Sequence, residues 1–265
     1  MESSLMGEQF HTVTPLLESW ALSQVAGTTI LLKCENVQPA GSFKIRGIGH
    51  FCQEVWDEAN MRAQELAKRD GWVNVHPFDH PLIWEGHASL VRELKAALGA
   101  PPGALVLAVG GGGLLAGVVG GLVEVGWQQV PVIAMETRGA HCFNAAIEAG
   151  RLVTLPGITS VAKSLGAKTV AARALACTQE CTILSEVVED VEAVSAVQRF
   201  LDDERMLVEP ACGAALSAIY SGLLGRLQAE GRLSPSLASV VVIVCGGNSI
   251  DSQELQALKA QLGQS

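Results

Sequence analysis

Four consecutive glycines, Gly110, Gly111, Gly112 and Gly113, interrupt an uncharged apolar segment and could bind a phosphate group. The residues before them indicate a strand, and the residues from about Leu114 onward indicate a helix. A backbone without Cβ atoms can adopt positive φ angles and approach a ligand closely. Its N–H groups would meet at the positive end of that helix, where an anion binds without a basic side chain. A glycine turn that only packs the helix tightly on a sheet is the alternative interpretation.

Lys44 is the second residue whose surroundings could support chemistry. A loop containing proline and glycine precedes Ser42, which can cap the helix that follows, and Lys44 then lies in the first turn. The helix dipole and the flanking Phe43 and Ile45 would favour the neutral amine, which is the nucleophilic form of a lysine. An ordinary surface lysine with its stem on an apolar face is the alternative.

The hydrophobic pattern predicts the elements that would position these residues. Continuous apolar strands alternate with helices, which predicts an α/β fold with a mostly parallel sheet covered by helices on both faces. Ligands bind at the carboxyl ends of parallel strands, and Gly110, Glu136 and Cys245 lie at such ends. Besides the strand before the glycines, the predicted strands cover 29–34, 72–75, 131–136, 182–188 and 239–245. The predicted helices cover 14–26, 86–98, 114–125, 140–149, 168–180, 192–201 and 210–229.

The composition indicates a soluble chain with a large buried core. Of its 265 residues, 49% are hydrophobic, and the mean hydropathy is +0.31. The uncharged run from Gly103 to Val123 is long enough to span a membrane, but the adjacent glycines in its middle disfavour a spanning helix. A net charge of −9 argues against nucleic acid and anionic membrane surfaces as partners.

The N-terminal sequence and the cysteines point to the cytoplasm. The first ten residues lack the basic start and the apolar run of a secretion signal. The chain has seven cysteines, an odd number, and they show no paired CxxC arrangement. Free thiols in a reducing compartment are therefore expected.

Two weaker patterns suggest other chemistry. Gly111-x-Gly113-x-x-Ala116 matches the dinucleotide-binding fingerprint, and Glu136 follows about twenty residues later at a strand end, where a ribose-binding acid belongs. An NAD-binding oxidoreductase is therefore the main rival on motif grounds. The two histidines and the aspartate within 76–80 fit no strong metal-ligand spacing, so we expect no metal site there.

A longer combination of motifs resembles a known family. The segment ENVQPAGSFKIRG at 35–47, the GGGG loop and the late CGGN are together similar to fold-type II pyridoxal-phosphate enzymes, and within them to the L-serine/L-threonine dehydratases. The resemblance covers nearly the whole chain. It implies that Lys44 forms the Schiff base with the cofactor, that Phe43 packs on the cofactor ring, and that the four glycines hold its phosphate. Cys245 would face the pyridine nitrogen as a neutral thiol, beside Gly246.

The resemblance also implies a reaction, a cation and an assembly. The reaction would be the dehydration and deamination of L-serine to pyruvate and of L-threonine to 2-oxobutanoate, with release of ammonia and with Lys44 as the general base. Glu136 and the carbonyl groups of Ala140, Leu165 and Ala167 would bind a monovalent cation such as K⁺, which braces the cofactor pocket. The protein would be a cytoplasmic homodimer that acts on a small amino acid.

One part of the family's pattern is missing. Members carry a βαβ segment with an S-x-G-N-x-G/A loop that binds the substrate carboxylate. In this chain Glu54 is followed at once by the segment that begins at Val55, which in the family lies well beyond that loop. We therefore predict a truncated small domain that carries Lys44 within 1–70, and a large cofactor-binding α/β domain at 71–265. Three- and four-residue apolar spacing over 45–66 predicts one amphipathic helix across the junction, with an exposed apolar patch that includes Ile48.

Three hypotheses about function remain at this point. The first is an active dehydratase that uses pyridoxal phosphate. The second is a catalytically impaired form that retains the fold and the phosphate-binding loop but cannot orient its substrate, because orientation contributes several kilocalories per mole in such sites. The third is the NAD-binding oxidoreductase, in which the lysine loop and the CGGN segment have no role.

Overall fold

The part of the chain that the structure describes, residues 10–50 and 76–264, folds around one six-stranded sheet. The structure is a computed structural model. In chain order the strands are Leu16–Ser19 (β1), Thr29–Cys34 (β2), Ala104–Ala108 (β3), Val132–Thr137 (β4), Ile183–Val188 (β5) and Ser239–Val244 (β6). The order in the sheet is β1-β2-β6-β3-β4-β5, and all neighbouring strands are parallel except β1 and β2. The last strand of the chain thus lies between the second and the third.

Helices connect these strands. In chain order they are Trp20–Ala26 (α1), 44–50 (α2), Pro81–Leu98 (α3), Gly113–Glu124 (α4), Cys142–Ala149 (α5), Ala172–Ala176 (α6), Asp190–Glu204 (α7), Pro210–Tyr220 (α8), Leu223–Ala229 (α9) and Ser252–Gln261 (α10). Every residue of β3 and β4 is buried, and β6 is buried except at its first residue. Burial on both sides requires helices on both faces of the sheet, so the predicted α/β class with a mostly parallel sheet is confirmed.

The N-terminal helix was predicted over 14–26, and its first part is wrong. Residues Leu16–Ser19 form β1, which pairs antiparallel with β2, and α1 begins only at Trp20. The cap is Ser19, whose side-chain oxygen accepts a hydrogen bond from the Leu22 N–H at 3.0 Å. Thr14, the predicted cap, is buried and donates its hydroxyl hydrogen to Glu35 instead. Pairing with the apolar strand β2 therefore outweighed the local helix signal.

Two other predicted helices are shorter than expected. The helix predicted over 210–229 is two helices, α8 and α9, because Gly222 between them adopts a left-handed φ of 73°. The helix predicted over 168–180 is reduced to α6 and a 3₁₀ turn at Cys177–Gln179. Lys168 lies outside any helix, and its carbonyl accepts a hydrogen bond from the Leu155 N–H at 2.8 Å. The remaining predicted elements in the described ranges lie within five residues of the observed bounds.

Several predictions fall on residues that the structure does not describe. These are the strand at 72–75, the junction between Glu54 and Val55 with most of its amphipathic helix, and the domain boundary at 70/71. Within the described N-terminal part, β1 and β2 belong to the same sheet as β3 to β6. The uncharged run 103–123 is a strand, a glycine loop and part of a helix, and no helix of the described ranges is long and apolar enough to cross a membrane.

Candidate active site

The segment that carries Lys44 is attached to the carboxyl end of β6 by backbone hydrogen bonds. The Phe43 N–H donates to the Cys245 carbonyl at 3.0 Å, and the Gly247 N–H donates to the Gly41 carbonyl at 3.1 Å. Between these bonds Ser42 and Gly246 form an antiparallel bridge. Residues about 200 positions apart in the sequence are therefore held side by side, and Lys44 directly follows this attachment.

Lys44 is the first residue of α2. The predicted cap, Ser42, lies one residue too early and is engaged in the bridge with Gly246, while Phe43 offers the carbonyl that accepts from the Arg46 N–H at 2.9 Å. The Lys44 side chain is exposed, so Phe43 and Ile45 do not enclose it as the sequence suggested. Its Nζ atom lies 5.7 Å from the centre of the Phe43 ring.

The glycine loop connects β3 to α4, as predicted. Gly112 is the N-cap residue of α4 with φ 90°, and no side chain caps this helix. The N–H groups of Gly111 and Gly112 donate to no other described residue, whereas the Gly111 carbonyl accepts from the Ala171 N–H at 2.9 Å. Unpaired N–H groups at the N-terminus of a 12-residue helix form an anion site. The loop therefore fits a phosphate group.

Side chains other than hydrogen would not fit in this loop. A Cβ atom on Gly111 would lie 2.4 Å from the ring of Phe78, and one on Gly112 would lie 2.4 Å from the Cβ atom of Ala174. A Cβ atom on Gly113 would lie 2.7 Å from the Phe78 carbonyl oxygen. The neighbouring segments thus pack directly on the loop backbone, which keeps its position fixed.

Gly112→Ala is expected to lower the free energy of unfolding by about 2 to 4 kcal/mol, because alanine disfavours the left-handed φ and its methyl group meets Ala174. Binding of pyridoxal phosphate should weaken more than about tenfold, since the loop amides would move. Thermal unfolding and a cofactor titration measure both effects. Gly120→Ala in the same helix is the matched control: its Cβ has nothing within 4 Å, so stability should rise by up to about 1 kcal/mol. Equal behaviour of the two variants would contradict the argument.

Most of the predicted site residues line a cavity of about 360 Å³, whereas Gly246, Glu136 and Ala140 are not part of its lining. Its lining includes Phe43, Lys44, Cys245 and all four glycines, and among the predicted cation ligands Leu165 and Ala167. Sequence reasoning assigned no role to several further residues of the lining, among them Phe78, His87, Ser164 and Glu209. A signal existed for His87, because it lies between Ile83 and Leu90 on the buried face of α3, where an apolar residue is expected.

Cys245 follows β6 and is almost fully buried. A hydrogen bond with Cys212 and burial raise the pKa of the Cys245 thiol well above its ordinary value, and the nearby Glu209 adds to this effect. The thiol is therefore neutral at physiological pH. A neutral thiol in the cavity fits the role that the family resemblance gave Cys245 opposite a pyridine nitrogen.

The Glu136 carboxyl group is too deeply buried to bind a ribose. Its carboxylate is completely buried and accepts hydrogen bonds from the N–H groups of Phe143 at 2.9 Å and Asn144 at 2.7 Å, at the start of α5. Burial raises its pKa to about 8, although these two bonds act in the opposite direction. No described residue forms an ion pair with Glu136. A buried carboxyl group without a counter-charge fits a bound monovalent cation better than an exposed sugar.

Of the other predicted cation ligands, Leu165 and Ala167 line the same cavity as the glycine loop. The Leu165 Cα would be 3.0 Å from a Cβ on Gly110, and the Leu165 carbonyl accepts from the Ala167 N–H at 2.7 Å. Ala140 is fully buried and donates its N–H to the Thr137 carbonyl at 2.9 Å. The assignment of Ala140, Leu165 and Ala167 as ligands stays a prediction.

A buried charged cluster holds α2, the helix that begins with Lys44. Arg46 is completely buried and donates to both carboxylate oxygens of Glu35 and of Glu93, with N–O distances from 2.6 to 2.8 Å. Lys33 donates to Glu93 at 2.5 Å and balances the second negative charge. We call Lys33, Glu35, Arg46 and Glu93 the Arg46 cluster. It joins α2 to β2, to the turn after β2 and to α3.

The histidines of the loop at 76–80 have structural partners. His76 Nδ1 accepts from the N–H groups of Phe78 and Asp79, and His80 Nδ1 accepts from the Leu82 N–H at the start of α3. Within the described ranges, no group of three or more histidine, cysteine, aspartate or glutamate side chains could hold a metal ion.

The fold, the anion loop and the cavity agree with what comparison with known proteins shows. The profile of the pyridoxal-phosphate dependent enzymes matches residues 49–246, and the chain belongs to this family. It is 68% identical to human "Serine dehydratase-like" over 97% of this chain and 96% of the relative. It is 50% identical to human "L-serine dehydratase/L-threonine deaminase", with 98% of each chain covered. Among solved structures, the fungal L-serine ammonia-lyase from Rhizomucor miehei matches with a TM-score of 0.85 at 33% identity, covering 96% of this chain and 99% of the other.

The alignments also show that residues are missing from this chain. The match with the human serine dehydratase-like protein extends over 317 positions, although the chain has 265 residues. Because about 257 residues of this chain take part in the alignment, the relative has about sixty residues without a counterpart here. This agrees with the predicted loss of family residues, and their location in the small domain stays a prediction. The family match does not support the NAD-binding alternative, and the buried, helix-capping Glu136 speaks against it as well.

Proposed function

We propose that the protein is a pyridoxal-phosphate-dependent ammonia-lyase that converts L-serine to pyruvate and L-threonine to 2-oxobutanoate, with release of ammonia. The observation that carries this proposal is the assembly of Lys44, the uncapped glycine loop and the neutral Cys245 thiol around one cavity. The names of the relatives and the likeness to a solved L-serine ammonia-lyase support the same reaction.

Each of these residues has a definite task in the proposed reaction. Lys44 Nζ would hold the cofactor, and as the general base it would accept the proton from the substrate Cα. The loop amides of Gly111 and Gly112 would bind the phosphate, and Phe43 would pack against the ring. Cys245 would offer an uncharged thiol to the ring. When bound, pyridoxal phosphate supplies an electron sink for the charge that develops at Cα.

A monovalent cation such as K⁺ would bind beside the glycine loop at Gly110 to Gly113 and stabilise it. Burial raises the pKa of Glu136 to about 8, and no basic side chain among the described residues pairs with it, so a bound cation would favour its ionised form. Carbonyl oxygens of Ala140, Leu165 and Ala167 would complete the oxygen ligands that hard cations prefer. Because Gly110 contacts Leu165, a cation held there would stabilise the phosphate-binding backbone.

The proposed assembly is a cytoplasmic homodimer that contacts neither nucleic acid nor membranes. Six of the nine exposed large apolar side chains in the described ranges fall within 10–37, including Val13 and Trp20, each 75% exposed. Such a concentration favours a protein interface. All six described cysteines are free and buried, which suits a reducing compartment. Light scattering should give twice the chain mass, and Trp20→Glu should shift the protein toward the monomer, whereas a monomeric wild type would contradict the dimer.

The second candidate function is a form that binds the cofactor without turnover. The observation that favours it is the absence of about sixty residues that the aligned human relative has. Those residues include, by the family resemblance, the loop that grips the substrate carboxylate. Without this loop Lys44 would still bind the cofactor, but the Cα–H bond would not be held in line for proton removal.

The experiment that separates the two candidates is an absorption spectrum of the purified chain with added pyridoxal phosphate, before and after borohydride and then with L-serine. A reduced adduct on Lys44 together with pyruvate formation would establish the ammonia-lyase. An adduct without pyruvate would establish the binding-only form. A chain that forms no adduct at all would contradict both.

A further inference from the structure

Asp190, the first residue of α7, holds a segment that forms part of the cavity wall. Its carboxylate accepts hydrogen bonds from the Ser160 hydroxyl group at 2.5 Å and from the Val161 N–H at 2.9 Å. The same segment lines the cavity a few residues later, from Lys163 to Ala167. Asp190 itself is not part of the lining. Its effect on a ligand in the cavity would therefore act through this segment.

The Ser160 side chain is completely buried, and its hydroxyl group makes every hydrogen bond available to it. Its one hydrogen goes to Asp190, because a carboxylate can only accept. Its oxygen accepts in turn from the Thr137 hydroxyl group at 2.8 Å and from the Ala162 N–H at 3.0 Å. The charge of Asp190 thus sets the direction of these hydrogen bonds. We call Thr137, Ser160 and Asp190 the Asp190 network.

The Asp190 network joins the carboxyl end of β4 to the segment that packs on the glycine loop. Thr137 is the last residue of β4 and is completely buried. After Ser160 the backbone forms a tight turn, in which the Leu165 N–H donates to the Ala162 carbonyl at 2.9 Å. The Leu165 Cα would lie 3.0 Å from a Cβ atom on Gly110, so the two backbones are in contact. One short turn therefore separates the network from the loop that fits a phosphate group.

We propose that Asp190 is a positioning residue for the cofactor. Through Ser160 it holds the segment 160–167 against the glycine loop, and so keeps the loop amides in place for the phosphate. A loop that binds through backbone amides depends for its geometry on the groups that pack behind it. This assignment rests on the proposed function, because it requires pyridoxal phosphate in the cavity.

Asp190→Asn and Ser160→Ala test the positioning role. Asp190→Asn keeps the size of the side chain but leaves one acceptor oxygen for two donors, and Ser160→Ala removes the hydroxyl group that joins Asp190 to Thr137. We expect each variant to raise the dissociation constant for pyridoxal phosphate about tenfold, as measured by fluorescence titration well below the melting temperature. The effect of the double variant should fall well short of the product of the two single effects, because both substitutions break the same network.

Ser19→Ala is the matched control for Ser160→Ala. Ser19 is also a buried serine whose hydroxyl group donates to a carboxylate, that of Glu204, and accepts from a backbone N–H, that of Leu22. It ends the edge strand β1 and does not line the cavity. Ser19→Ala should lower the melting temperature of the cofactor-free protein about as much as Ser160→Ala does, because both lose a buried hydroxyl group and its two partners. Its dissociation constant should stay within about twofold of wild type.

Three results would overturn the assignment. The first is a dissociation constant in Asp190→Asn and Ser160→Ala that equals that of wild type. The second is an increase in Ser19→Ala as large as in Ser160→Ala, since affinity would then follow stability alone. The third is a wild type that forms no borohydride-stable adduct, which would contradict the proposed function as well. If Asp190→Asn does not fold, the comparison of Ser160→Ala with Ser19→Ala decides between the outcomes.

Discussion

Replacing Lys44 with alanine is expected to abolish the borohydride-stable adduct with pyridoxal phosphate. Any formation of pyruvate from L-serine should fall by at least about a hundredfold, because the variant loses both the covalent attachment and the general base. The phosphate-binding loop is unchanged in this variant, so weak non-covalent binding of the cofactor should remain. Mass spectrometry of the reduced protein and an assay of the 2-oxo acid provide the two measurements. Stability should hardly change, since the side chain is exposed.

Lys163 provides a matched control for this experiment. Among the described residues it is the other lysine that lines the cavity, and its Nζ atom donates to the Ser160 carbonyl at 2.7 Å. Lys163→Ala should retain the adduct, and a peptide map of the reduced wild type should locate the modification at Lys44. A modification found on Lys163, or an adduct that persists in Lys44→Ala, would assign the nucleophile to another residue.

Arg46→Met is expected to lower the free energy of unfolding by about 3 to 5 kcal/mol, because it leaves the buried carboxylate of Glu35 and the partly buried carboxylate of Glu93 without their main partner. Methionine fills much of the same volume, so the loss reflects unpaired charge more than a cavity. We expect denaturant unfolding to show this change, and the occupancy of Lys44 by the cofactor to fall with it, because Arg46 lies two residues from Lys44 in α2. Preserved stability would show that the Arg46 cluster is dispensable.

An exposed ion pair serves as the control. Arg138 and Glu189 pair at 2.7 Å, but more than half of each side chain is exposed. Arg138→Met should therefore change the free energy of unfolding by less than about 1 kcal/mol. A loss as large as that of Arg46→Met would mean that burial does not determine the strength of these pairs.

The loss of stability caused by Arg46→Met should also depend on pH. Burial alone would raise the pKa of Glu93, but hydrogen bonds from Arg46 and Lys33 outweigh this and hold its pKa below the ordinary value of 4.5. A lowered pKa in the folded state contributes stability above the unfolded pKa, and that contribution is lost as the pH falls through the folded pKa. The difference in stability between wild type and Arg46→Met should thus narrow below about pH 4.5. A difference that stays constant down to pH 3 would be inconsistent with the ion pairs.

The glycine loop and the buried strands could be predicted from local sequence because their signals are local. A strand such as β2 is a run of six residues whose bounds follow from its own composition, and the loop at Gly110 to Gly113 is recognisable from missing side chains. The structure of the segment 14–26 could not be predicted from local sequence in the same way. Its first residues pair with β2, and a pairing partner lies outside any local window.

The arrangement of the site depended on long-range contacts that periodicity does not reveal. Cys245 and Lys44 were associated only through the family resemblance, and the backbone bonds that bring them together join 41–43 to 245–247. The Arg46 cluster was not predicted, because its charges lie on β2, a 3₁₀ turn, α2 and α3, and each alone looks like a surface residue. His87 was missed for a similar reason, since a histidine in an apolar helix face has meaning only once its neighbours are known.

The position of the last strand has a consequence for biosynthesis. Because β6 lies between β2 and β3, the β1–β2 pair has no contact with the rest of the sheet until residues 239–244 have left the ribosome. Lys44 is made early, but the surface that orients it is the carboxyl end of β6, which is made late. The nascent chain therefore exposes two apolar sheet edges for most of its synthesis. Chaperones would meet this intermediate, and its yield of folded protein would depend on how quickly the chain is completed.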